Sequence, residues 1–186
     1  MHGRIALAFG DETAARAGRL TFNPLHHIDP FGTIILPAML LFLHLPVFGY
    51  AKPVPVDFRR LHPLRFGMIA VAAAGPLTNF ALAAASAIGF KLASTLPLTG
   101  MTGYLLPRML EASVAVNVML GVFNLLPLLP LDGGRVLAGI MPVRLAQSYA
   151  RLERFGFLVL FLLLYTDWFN AMIDPIIATI TRALLA

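Results

Sequence analysis

Residues 66–96 read FGMIAVAAAGPLTNFALAAASAIGFKLASTL. The stretch is longer than the roughly 20 apolar residues that a helix needs to cross a bilayer. It is rich in small side chains, among them Ala70, Ala72, Ala73, Ala74, Gly75, Ala81, Ala83, Ala84 and Ala85. In lipid the hydrophobic effect no longer drives helices together, and close packing of small residues takes its place. This run is therefore expected in the middle of a helix bundle. Three more apolar runs lie around it, at 33–50, 109–131 and 155–180.

Composition agrees with that reading. Of the 186 residues, 59% are hydrophobic and only 12% charged, and the mean hydropathy is +0.81. A soluble domain carries about twice that charged share, so there is too little polar surface to cover a globule in water. One membrane domain, 1–186, fits the length. The formal charge is +5, but the basic residues sit between apolar runs. No basic cluster is interleaved with exposed aromatics, so nucleic acid is not the expected partner. Cysteine is absent, which leaves His, Asp and Glu as the only strong metal ligands.

The first run, 33–50, is barely long enough to cross and contains Pro37, His44 and Pro46. It either crosses with a kink or dips in and returns to the same face. Charge favours return. Re-entry places Arg4, Arg16, Arg19, Lys52, Arg59, Arg60, Arg65, Arg135, Arg144, Arg151 and Arg154 on one side, and Lys91, Arg108 and Arg182 on the other. That asymmetry obeys the positive-inside rule much better than a crossing does, and marks the basic side as cytoplasmic.

The third run leaves the membrane through Phe123-Asn124-Leu125-Leu126-Pro127-Leu128-Leu129-Pro130-Leu131-Asp132-Gly133-Gly134-Arg135. A carboxylate beside an apolar span needs a cation, a polar network or a metal. Asp132 is thus either the cap of a following helix or a metal ligand. Asn79 and Asn117 lie in apolar runs, where an interhelical hydrogen bond is the plain explanation.

Several segments together resemble one family, the site-2 proteases. His2 through Asp11 is similar to the end of that family's His-Glu-x-x-His helix, with His2 in the place of the second histidine. Asn23-Pro24-Leu25-His26-His27-Ile28-Asp29-Pro30 resembles the Asn-Pro-x-x-His-x-Asp-Pro element of a prokaryotic branch. Gly49-Tyr50-Ala51-Lys52-Pro53-Val54-Pro55-Val56 resembles its Gly-x-Ala-Lys-Pro-Val-Pro-Val loop. Ala74-Gly75-Pro76-Leu77-Thr78-Asn79 resembles its Ala-Gly-Pro-x-x-Asn element, and Asn124 through Gly134 its aspartate element.

The resemblance implies an all-α polytopic bundle in a prokaryotic plasma membrane, with a re-entrant segment and an extended Pro-Val-Pro-Val loop. It divides the domain into a metal-helix remnant and loop (1–32), a re-entrant or kinked segment (33–50), and transmembrane helices at 66–96, 109–131 and 155–180. It implies hydrolysis of peptide bonds in transmembrane protein substrates with one Zn²⁺, held in part by His2 and Asp132. Asn79 becomes a possible accessory to catalysis. Gly49, Ala51, Pro53, Val54, Pro55 and Val56 become a substrate edge, against the plainer reading of a rigid connector. The first histidine and the glutamate of the motif have no counterpart, because only Met1 precedes His2. The expectation is a misplaced start or a fragment, inactive by itself. A non-catalytic helix binder of the same fold is the alternative, and a transporter fragment a more distant one, since no inverted repeat is present. Substrate identity and oligomeric state are not legible.

Overall fold

The computed structural model describes residues 1–21, 23, 28–44, 52, 54–97 and 99–186. The described residues are helical wherever they are regular, with no strand among them. The all-α bundle expected from the sequence is the fold the chain adopts. It divides into two compact units, Met1–Gly67 and Met68–Ala186.

The first unit opens with two short helices, α1 (His2–Ala8) and α2 (Thr13–Arg16). They pack through small side chains: Gly3, Ala6 and Ala14 are buried. A wide-turned helical segment, Pro30–Ile35, runs directly into α3 (Leu36–Phe42). Asp29 starts it, its Oδ1 accepting the N–H groups of Phe31 at 3.0 Å and Gly32 at 2.8 Å. That is the cap expected of a short acid ahead of proline. His26 and His27 lie outside the described residues. The helical stretch Pro30–Phe42 is shorter than the roughly 20 residues of a straight crossing.

Beyond it, residues 54–57 are extended and lead into a single 3₁₀ turn at Phe58–Arg60. Two hydrogen bonds fasten this connector to the end of α1, Asp57 N–H to Asp11 Oδ2 at 2.8 Å and His62 N–H to the Phe9 carbonyl at 2.9 Å. The rings of Phe9 and Phe66 meet beside them, centroids 5.9 Å apart.

The second unit holds the long helices. α4 (Leu64–Thr95), whose first residues belong to the first unit, and α5 (Gly100–Asn124) are each long and apolar enough to cross a membrane. Their 32 and 25 residues rise about 48 and 38 Å. Only 28% and 22% of their most apolar windows are buried inside the protein, so most of their apolar surface is left for lipid. Small residues make the contact between them. Gly121 lies under the ring of Phe80, and Ala83 and Ala87 pack with Val114 and Val118. Ser86 and Ser113 share a hydrogen bond of 2.8 Å across the pair.

The third apolar run becomes helical earlier than its sequence limits, at Gly100, and stops at Asn124, because Pro127 and Pro130 cannot continue a helix. After the loop come α6 (Asp132–Ile140) and α7 (Val143–Ala150). The fourth run forms two helices, α8 (Glu153–Leu164) and α9 (Asp167–Leu185), which meet at 84°. From α9, Ile177, Ile180 and Leu184 cover the α4–α5 core.

Candidate active site

Of the expected metal ligands, His2 belongs to the first unit and Asp132 to the second. In the second unit, Asp132 is the first residue of α6 and half-buried. A carboxylate there is favoured by the unpaired N–H groups of the helix start. Its position is set by close backbone packing. A Cβ on Gly133 would overlap the Leu125 carbonyl, and one on Gly134 would come within 2.5 Å of Leu129 N. A Cβ on Gly156 of α8 would overlap the Leu129 carbonyl. Loop 125–131 therefore folds flat onto two helices that lack side chains where it passes. Its Leu129–Pro130 peptide is cis. The Tyr149 hydroxyl of α7 donates to the Pro127 carbonyl at 2.8 Å, and Arg135 of α6 meets Glu153 of α8 at 3.0 Å.

In the first unit, His2 is the first residue of α1 and half-buried. The structure brings its neighbour Gly3 together with Val54 of the expected substrate edge. A Cβ on Gly3 would sit 3.0 Å from Val54 Cγ1 and 2.9 Å from both Ala14 Cβ and Leu20 Cδ2. Beside that contact lies a cleft of about 210 Å³, lined by Met1, Gly3, Arg4, Arg19, Leu20, Thr21 and Val54. Val54 and Val56 are half-buried and Pro55 is exposed, the alternation of an extended strand with one face covered. Among the described residues, the N–H groups of Val54 and Val56 have no hydrogen-bond partner. Gly49, Ala51 and Pro53 lie outside the described residues.

Asn79 is half-buried on α4, and its carboxamide makes no hydrogen bond among the described residues, so no interhelical bond explains it there. Asn117 bonds within its own helix, to the Ser113 carbonyl at 2.9 Å, as a structural residue does.

The sequence reading assigned no role to Asp11, which is fully buried. It accepts from the Thr13 N–H at 3.0 Å, from the Thr13 hydroxyl and from the Asp57 N–H at 2.8 Å. Burial opposes its ionisation, but those bonds and the Arg60 charge together hold its carboxyl below the usual carboxylate range. Asp11-Glu12-Thr13 after Gly10 carries a legible turn signature. Nothing in the sequence couples it to Asp57.

Zinc bound for catalysis takes three protein ligands and an open position. Among the described residues, no three His, Asp or Glu side chains come together. The described residues do not by themselves make that site.

Apolar helices of spanning length, packed through small residues, with a carboxylate at the start of a following helix, define a helical membrane protein. The sequence pattern of peptidase family M50 matches residues 101–166, from α5 through α8, and so includes Asp132. Over 183 residues the chain is 36% identical to the "Putative zinc metalloprotease YwhC" of Bacillus subtilis (strain 168), covering 95% of this chain and 78% of that protein. No solved structure matches. The chain belongs to peptidase family M50, the site-2 proteases.

Proposed function

We propose that this chain serves in zinc-dependent hydrolysis of peptide bonds in membrane-embedded proteins, with His2 and Asp132 as metal ligands and 54–56 as the substrate edge. The observation that carries the reading is the extended edge lying against the histidine-bearing helix, with the Val54 and Val56 N–H groups unpaired among the described residues. Pro55 offers no N–H to one side, whereas Val54 and Val56 carry theirs toward the other, as alternate residues of an extended segment do. A substrate unwound from its helix can pair with that side by strand addition, satisfying backbone groups that lipid cannot.

The bonds from Asp57 to Asp11 and from His62 to Phe9 support re-entry of residues 33–50. They hold the two flanks of the run within hydrogen-bond distance, and flanks so joined share one side of the bilayer. The prokaryotic plasma membrane is the proposed location.

The test is cleavage of a membrane-anchored substrate, with and without a zinc chelator. It is run on the 186-residue chain and on one extended through the codons ahead of Met1. Asp132→Ala is expected to abolish chelator-sensitive cleavage, and equal cleavage by that variant removes Asp132 from the mechanism. Binding of the substrate by both forms, with cleavage by neither, identifies a non-catalytic helix binder.

A further inference from the structure

The geometry points to Asp11 as the residue that holds the substrate edge in register along α1, and so as a positioning residue for the peptide substrate. The inference rests on the strand-addition reading above.

Its physical basis is a two-ended attachment. At one end of the edge, Val54 packs on Gly3, next to His2. At the other, Asp57 N–H meets the buried Asp11 carboxylate, just past the end of α1. Segment 54–57 therefore runs beside α1 in the same direction as the helix. Slippage by one residue would exchange the faces of Val54 and Pro55 and reverse the direction of every N–H. Packing of Val54 alone is a poor guard against slippage, because apolar contact is not directional. The bond to Asp11 is directional, charge-assisted and shielded from water.

The carboxylate is itself fixed. Thr13 gives it a backbone and a side-chain donor. The amide of Asp11 is bonded to the Ala6 carbonyl of α1 at 2.9 Å. Asp57 Oδ1 in turn accepts from Arg59 N–H at 3.1 Å, so the turn that follows the edge is rigid as well. Helix, carboxylate and edge form one chain of short bonds, and none of them involves a group proposed to touch the metal.

The experiment uses Asp11→Asn, which keeps the side-chain volume but cannot accept all three hydrogen bonds, in the chain form that cleaves. Two readouts are taken. Hydrogen exchange of the peptide covering 54–61 is expected to quicken about tenfold, with α4 and α5 unchanged. For the membrane-anchored substrate, KM is expected to rise about tenfold, kcat to stay within about threefold, and cleavage to spread to neighbouring bonds. A merely structural role would lower the active fraction without moving KM or the cleavage position. If Asp11→Asn does not fold, Asp57→Pro removes the same bond from the other side and leaves the Asp11 carboxylate intact, with Asp57→Ala, which keeps the N–H and loses only the side-chain bonds to Arg59 and Arg60, as its control. Unchanged exchange at 54–61 overturns the inference. Quickened exchange with unchanged KM and cleavage position leaves the Asp11 link standing but shows that substrate does not use this edge, which overturns the strand-addition reading and this use of Asp11 with it.

Discussion

At the scale of single residues, burial and hydrogen bonding of one carboxylate set a measurable pH dependence. The Asp11 carboxyl is held below its ordinary range in the folded chain. Its contribution to stability is therefore complete above the unfolded carboxylate value near 4 and is lost as pH falls through the lower folded value. Amide protection at 54–61 is expected to decline on acidification below about pH 4, and Asp11→Asn is expected to flatten that decline; hydrogen exchange across the acid range checks it. The ion pair between Arg135 and Glu153 is a contrasting case. Its side chains are 31% and 44% exposed, and half-exposed pairs contribute at most about 1 kcal/mol. Glu153→Gln should shift thermal unfolding only slightly.

At the scale of elements, close backbone approach is the recurring device. Gly156 leaves room for the Leu129 carbonyl, and no flexible side chain is present there to move aside. Gly156→Ala should displace loop 125–131 and cost about 1–3 kcal/mol, read as a lower unfolding temperature in detergent. If Asp132 works as proposed, cleavage should fall more than stability does. Gly121 plays the same part for α4 and α5, with the Phe80 ring about 3 Å from the position of a Cβ. Gly121→Leu should force the pair apart, and hydrogen exchange along both helices should rise.

At the scale of the whole molecule, the question is how the chain meets the bilayer. The chain has no cysteine, so single cysteines can report on sidedness. Cysteines at Thr21 and Arg59 flank the first apolar run, and an impermeant thiol reagent should reach both from the same face. Labelling from opposite faces would establish a kinked crossing. Cysteines at Arg65 and Thr99, beyond opposite ends of the α4 apolar stretch, should label from opposite faces.

The sequence by itself determined the solvent and the fold class. An apolar share this high cannot be covered by the few charges present, and runs such as 66–96 satisfy their backbone in lipid only as helices. It also singled out residues, since a carboxylate beside a span needs a partner and the Pro-Val alternation at 53–56 cannot continue a helix. Helix ends were less legible. Arg108 and Pro107 interrupt the apolar pattern, yet α5 runs through them, because hydropathy marks where a helix can meet lipid and not where its backbone hydrogen bonds begin, and Pro107 forfeits only the bond that its missing N–H would make. Only the tertiary structure decided that Asp11 is buried, that it holds Asp57, that Gly3 meets the Val54 side chain and that Gly156 meets the Leu129 backbone. Those contacts join pairs 27 to 51 residues apart. Hydropathy and spacing carry information about near neighbours along one element, whereas hydrogen bonds and close approaches between elements are chosen by how the elements pack.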